Sequence, residues 1–202
     1  MRKFFGILCM LLGLAMVAGS GWLLYENYTE DQDAGTLSES ALVEMKDTIA
    51  AKPKETLLPR LEPEATLTPE MPTMQIDGQD YIGYLEMPTI GLSLPVMSDW
   101  SYPQLRTAPC RYRGSAYDDT LVIMAHNYDR HFGRVSGMNI GDPVQFVDAQ
   151  GNIFKYVVAA HETLERTDVE PMLNSEYDLT LFTCTYGGAS RITVRLDRVL
   201  SY

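Results

Sequence analysis

Cysteine is scarce in this sequence: three in 202 residues, at Cys9, Cys110 and Cys184. Cys9 sits inside an apolar run, so a disulfide framework is excluded and a single Cys110–Cys184 bridge is the most the chain could form. The alternative to that bridge is a free thiol available for chemistry. Histidine is equally sparse. His126, His131 and His161 are scattered, and no CxxC or HxxxH spacing offers a metal centre. Positive charge is also short: 16 Lys and Arg against 27 Asp and Glu give a net charge of −11, with no basic stripe. That balance excludes nucleic acid as a partner.

What is present begins with 22 uncharged positions, Phe4 to Tyr25, rich in Leu, Met, Gly and Ala. As a helix rising about 1.5 Å per residue, the run reaches roughly 33 Å, enough to cross a hydrocarbon core of about 30 Å. Arg2 and Lys3 before it and Glu26 after it orient the N-terminus inward and the remainder outward. Trp22 and Tyr25 fall where an outer aromatic belt would lie. A cleaved signal peptide is the rival reading, since Ala18-Gly19-Ser20 supplies small residues, but the apolar run continues past that point. Either way the remainder is expected on the extracellular side.

Residues 26–74 read as an acidic stalk. Between positions 26 and 80 stand thirteen acids and four bases, and five of the eleven prolines fall between Pro53 and Pro72. Such a composition buries no core. Thr36-Leu37-Ser38-Glu39 has the form of a capping box, and Leu42, Met45 and Ile49 follow at helical spacing, which predicts a short spacer helix over 37–51.

From position 75 to 202 the pattern changes to short strand-like runs between turn residues: Tyr81–Met87, Ile90–Met97, Thr120–Ala125, Asp142–Val147, Ile153–Thr163, Leu179–Thr185 and Arg191–Leu200. Seven or eight strands with little helical periodicity predict a mainly β fold, a closed or nearly closed barrel. Helical turns are expected near Trp100–Arg106 and His131–Met138.

Three residues carry candidate chemistry. His126 ends the strand TLVIMA and opens a polar loop, where a rigid strand can hold a side chain toward solvent. Against it, His131 lies within the loop, where positioning is expected to be poor, and His161 sits mid-strand beside Glu162. Cys184 ends the strand TLFTC before the turn Thr185–Ser190. In the following strand, Ile192, Val194 and Leu196 alternate with Arg191, Thr193 and Arg195. Arg191 therefore faces away from the packed side, one short turn from Cys184, with Arg195 as the alternate. A cation near a thiol favours the thiolate and offers donors to an oxyanion.

Thr180-Leu181-Phe182-Thr183-Cys184 resembles the TLxTC signature of sortases, a family of cysteine transpeptidases. Arg191 in RITVR falls where that family has its essential arginine, and His126 where it has its catalytic histidine. YIGYLEMPTIGLSLPV resembles the family's opening hairpin, and Phe132, Gly133 and Gly141-Asp142 are further landmarks; together the likeness spans about residues 78–200. It implies a membrane-anchored extracellular enzyme in which His126, Cys184 and Arg191 act on an LPxTG-like sorting signal of surface protein precursors. The acyl group would pass to a peptidoglycan precursor amine. The apolar part of the signal would lie against Ala108, Ile123, Val169, Leu173 and Thr183. Ala125 replaces the glycine common before the histidine. The short turn after Cys184 leaves no room for a large lid or a metal-binding insertion. The expected absence of a lid in the stalk and of a C-terminal apolar segment, with a 164–178 stretch too short for a long helix, favours a class A- or D-like enzyme. No cofactor is expected; Asp118, Asp119 and Glu170 are the acids open to calcium, but as isolated residues they read as solvated. Rival readings are a non-catalytic surface module, in which Cys184 is inert, and a peptidase that only hydrolyses.

Overall fold

The computed structural model describes residues 2–52 and 70–199. The proline-rich part of the expected stalk, 53–69, lies outside these residues. Nine strands follow: β1 Met74–Ile76, β2 Gln79–Met87, β3 Leu92–Met97, β4 Cys110–Arg113, β5 Leu121–Met124, β6 Pro143–Asp148, β7 Ile153–Glu165, β8 Leu179–Cys184 and β9 Ser190–Arg198. Their lateral order is β1-β2-β3-β4-β5-β8-β9-β7-β6, and β6 pairs back onto β2. Strands β2 to β9 thus close an eight-stranded barrel, as the sequence predicts, with the three-residue β1 hung on β2 as an extra edge. Closure is tight at Gly83, where β2 bulges against β3. A Cβ there would collide with the Val147 carbonyl oxygen of β6, so the residue must be glycine.

The barrel is filled by inward side chains of alternate positions, among them Ile82, Leu85, Ile123, Phe146, Leu181 and Val194, all fully buried. Two pairings are parallel, β3–β4 and β5–β8; the rest are antiparallel. The expected helical turns are there, as α2 (Tyr102–Leu105) and a 3-10 turn at Phe132–Gly137. Strand β4 and α3 (Val169–Leu173) are not among the expected elements: each is too short for a period to show, and neither has the continuous apolar run that marks the equally short β5.

The N-terminal region departs most from expectation. There is no separate 37–51 spacer helix. One helix, α1, runs from Arg2 to Ala51. Thr36 caps nothing; its hydroxyl donates back to the Gln32 carbonyl in mid-helix. The outer half of α1 lies on the barrel rather than beside it. Ala34, Ser38, Ala41 and Met45 form a buried stripe at helical spacing, and Ala41 and Met45 join Ile76, Tyr81, Met97, Leu105, Ala108 and Cys110 in a second core. Polar ties add to the packing: Lys46 Nζ to Glu86 at 2.7 Å, and Lys52 Nζ to the Ala149 carbonyl at 2.7 Å. Small residues in the stripe allow close approach but leave little hydropathy signal, so only its end shows in the sequence.

His131 is buried in this contact, not poorly held in a loop. Its Nε2 lies 3.1 Å from Ser38 Oγ, which also donates to the Thr107 carbonyl at 2.6 Å. Burial, and then the charge of His126, push the His131 pKa down to about 4. The unfolded chain, near the usual 6.5, binds this proton more readily than the folded one. The contribution is complete above about pH 6.5 and is lost as pH falls toward 4. Between pH 7 and 5 the cost is about 2 kcal/mol, or roughly 4–8 °C in thermal midpoint. His131→Gln, which keeps a partner for Ser38, should flatten that slope; equal slopes for the two proteins would refute it.

Candidate active site

Parallel pairing of β5 with β8 brings their C-terminal ends to the same rim. The register runs from Leu121 opposite Leu179 to Met124 opposite Phe182, so His126 and Cys184 each stand two residues past the last partners. The ladder continues through the Ala125 amide, which donates to the Phe182 carbonyl at 3.2 Å, and the Thr183 hydroxyl, which donates to the Ala125 carbonyl at 2.9 Å. On the other side, Cys184 and Arg191 are direct antiparallel partners. The turn between them closes tightly: Thr185 and Ser190 bond reciprocally, and Gly187 and Gly188 take φ of 82° and 74°, left-handed values that suit glycine.

Alternation then decides which side chains meet. Met124, His126, Phe182, Cys184 and Arg191 line one cleft of about 200 Å³, whose other walls include Trp100, Tyr102, Tyr112, Val169 and Met172. Cys184 is half-buried, whereas Cys110 is fully buried, unbridged, and bonded only to the Ala108 carbonyl. The Cys110–Cys184 bridge therefore does not form. Burial, then Asp99, drive the Cys110 thiol up to about 12, so it is the inert one of the two. Arg191 Nη1 donates to the Gly188 and Ser190 carbonyls, both at 3.2 Å, and among the described residues no carboxylate pairs with it. Its remaining donors are free for a substrate oxygen. A larger cleft of about 660 Å³, lined by Glu70, Arg111, Arg113, Asp118, Leu173 and Asn174, holds none of the three.

His126 is half-buried and stacked on Tyr128, with ring centroids 4.9 Å apart. Burial lowers its pKa first and the Arg106 charge second, while Glu30 on α1 pulls the other way. Tyr128 donates its hydroxyl to Glu30 Oε2 at 3.0 Å; burial and that carboxylate push the phenol up to about 12. Neither Glu30 nor Tyr128 carries a signal in the sequence. His161 is exposed on β7, away from this cleft.

The expected groove is revised. Ile123 and Thr183 are inner-face positions, 0% and 2% exposed, because their neighbours Val122, Met124, Phe182 and Cys184 take the outer face. Ala108 is buried beneath α1. Val169 does stand on the cleft wall, and Leu173 borders the larger cleft instead. The apolar wall is aromatic. Trp100 lies 5.8 Å from Tyr112, itself 5.4 Å edge-on to Phe182. These residues come from separate segments, so no single run announces them. As for calcium, Asp118 accepts from Thr120, Asp119 pairs with Arg198 and Glu170 accepts from Asn174; no cluster of three ligand-type residues occurs among the described residues.

A closed barrel with a thiol, an imidazole and a guanidinium on one rim has the parts of a cysteine acyltransferase. The sortase domain matches residues 85–199, more than half of the sequence, and the chain belongs to the sortase family of cysteine transpeptidases. Among solved structures it is similar to sortase C1 from Streptococcus suis, with 27% identity over 60% of this chain and 74% of that one and a TM-score of 0.52. It is similar in fold to sortase C from Streptococcus pneumoniae (23% identity, 80% and 97% covered, TM-score 0.61) and to a Clostridium perfringens sortase D5 transpeptidase (17%, 82% and 99%, 0.61). No curated protein sequence matches it.

Arg195, the alternate cation, is spoken for. It is 1% exposed, with Nε 2.9 Å from Glu162 Oε2, Nη1 bonded to Thr180 Oγ1 and the Met172 carbonyl, and Nη2 at 2.7 Å from the Pro171 carbonyl. It holds α3, and with it Val169 and Met172, against the sheet. Removing one partner of a buried ionic network strands the others, so Arg195→Ala should cost about 3 kcal/mol. Thermal melts followed by circular dichroism would measure this, and a loss below about 1 kcal/mol would contradict the assignment.

Proposed function

We propose that this chain is a membrane-anchored extracellular transpeptidase that cleaves an LPxTG-like sorting signal and joins the acyl product to a cell-wall amine. The reading is supported chiefly by the register that brings Cys184 opposite Arg191 and level with His126. In the first half-reaction His126 takes the Cys184 proton, and the thiolate attacks the Thr–Gly carbonyl carbon. The electron pair moves to the carbonyl oxygen, where Arg191 donates hydrogen bonds. Collapse breaks the C–N bond, His126 delivers its proton to the leaving amine, and a thioester remains on Cys184. In the second, neutral His126 takes a proton from the incoming amine as it attacks the thioester, and the thiol is released. The lowered pKa of His126 suits this base role. No step as written needs a cofactor.

The aromatic wall of Trp100, Tyr112 and Phe182 would receive the apolar residues of the signal. The short α3 and the short turn after Cys184 support a class A- or D-like enzyme. The anchor reading rests on the apolar first half of α1, the one described helix long and apolar enough to cross a membrane. Glu30 stands five residues beyond Tyr25, a rise of about 7.5 Å, so the cleft would open close to the outer leaflet, where a lipid-linked amine could be met.

Cys184→Ala, His126→Ala and Arg191→Ala should each cut turnover of a quenched-fluorophore LPxTG peptide by at least about a hundredfold. Retained turnover in Cys184→Ala would end the reading. Mass spectrometry of products with and without an added amine separates transfer from hydrolysis; only hydrolytic product at saturating amine would rule out transpeptidation.

A further inference from the structure

The loop that follows His126 is fastened to α1 at three levels. Near the top of the cleft, the Tyr128 hydroxyl donates to Glu30. Next, Asp31 Oδ1 accepts from the Arg130 amide at 3.0 Å, with the Arg130 guanidinium 4.0 Å from its other oxygen. Deeper, Ser38 meets the buried His131. Gly35 lies between these points, and a Cβ on it would collide with the Arg130 side chain, so the helix is notched where the loop crosses. The loop then folds on itself, with the His131 and Gly133 amides donating to the Tyr128 carbonyl and the Phe132 amide to the His126 carbonyl.

Two of these fastenings do not touch His126 and are sufficiently explained by docking the helix. The first is different. Tyr128 is the ring on which His126 rests, at 4.9 Å and a 35° tilt, and the same ring lies 5.6 Å from His131. A half-exposed phenol could give its proton to water. Here it is aimed instead at a carboxylate 98 positions away in sequence, on a helix that otherwise has no part in the cleft.

We propose that Glu30 and Tyr128 are positioning residues for His126: the α1 carboxylate fixes the phenol, and the fixed ring sets the orientation of the imidazole toward Cys184. The inference deepens the reading above and rests on His126 being the proton carrier. Strands alone cannot do this job. β5 ends at Met124, two residues before His126, and the backbone beyond is loop. Without a support the imidazole would sample rotamers, only some of them pointing into the cleft. The charged and titratable groups around the His126–Tyr128 pair are Glu30 and Asp31 on α1, Arg106 after α2, His131 in the loop, and, around the cleft, Cys184, Arg191, Glu165, Arg166 and Asp168. Arg106 and Glu30 act on His126 in opposite senses, so the helix also offsets a neighbouring cation.

The test needs no knowledge of the substrate. The full chain in detergent micelles is treated with iodoacetamide from pH 5 to 9, and the alkylation rate of the Cys184 peptide is followed by mass spectrometry. Cys110, buried, serves as internal control for folding. Wild type, His126→Ala, Glu30→Gln and Tyr128→Phe are compared, with thermal midpoints measured alongside. Glu30→Gln keeps an acceptor for the phenol but removes the charge, so the part of the profile that depends on His126 should move to lower pH. Tyr128→Phe keeps the stacked ring but frees it, and the Cys184 rate at pH 7 should change by roughly fivefold with little shift along the pH axis. If His126→Ala alters the profile while both variants match wild type, the proposal is overturned and the reading of His126 stands. A lowered midpoint with an unaltered profile also overturns it, since that is what a purely structural tie would do. If His126→Ala itself matches wild type, the reading fails and the proposal with it.

Discussion

Everything at this site depends on two neighbouring strands running the same way. In an antiparallel pair the ends of β5 and β8 would lie at opposite rims, and the imidazole and thiol would be a barrel's height apart. Parallel pairing obliges the chain to cross the barrel between β5 and β8, and β6, β7 and α3 make that crossing. Once the register sets Met124 against Phe182, pleating does the rest. Even-numbered residues of both strands share the outer face, so the polar ends of two apolar strands become one site.

Strand β9 gives that face its charge in two different ways. Arg191 and Arg195 lie on the same side, four residues apart, yet only one has donors left over. Arg195 is opposite Thr180, deep under α3, where two carbonyls, a hydroxyl and Glu162 use its fork. Arg191 is opposite Cys184 at the strand's open end, tied only to the carbonyls of its own turn. Burial and the supply of acceptors, not residue type, separate a structural guanidinium from one available to a ligand.

The barrel is legible because its longer strands leave a period-2 record or, as in TLVIMA and TLFTC, a short apolar run bounded by polar turns, and the chemical residues stand at the ends of those two runs. Which face each residue took was harder. TLVIMA is apolar on both sides, so its pattern does not separate Ile123 from Met124, and the groove expected from it runs through inner-face residues. Short elements such as β4 and α3 left too few positions to count. The docking of α1 is hidden in the sequence for a different reason. Its buried stripe opens with Ala34, Ser38 and Ala41 before reaching Met45, and small residues carry almost no hydropathy signal although they permit the closest packing. The Glu30–Tyr128 contact depends on that docking, so it could not be seen from either segment alone.

That continuous helix changes what the acidic region can do. A stalk between anchor and barrel would let the site range above the bilayer. Here the helix reaches the barrel by Glu30 and stays on it through Lys52, and on the far side of the proline-rich stretch Met71 is already buried in the main core. The described segments on either side of 53–69 thus both pack on the barrel. If Phe4–Tyr25 spans the membrane as proposed, a rigid rod rather than a tether fixes the cleft near the surface. The same rod carries the carboxylate that holds Tyr128. Distance from the membrane and the setting of the imidazole would then be properties of a single helix, and a change in its tilt would alter both together.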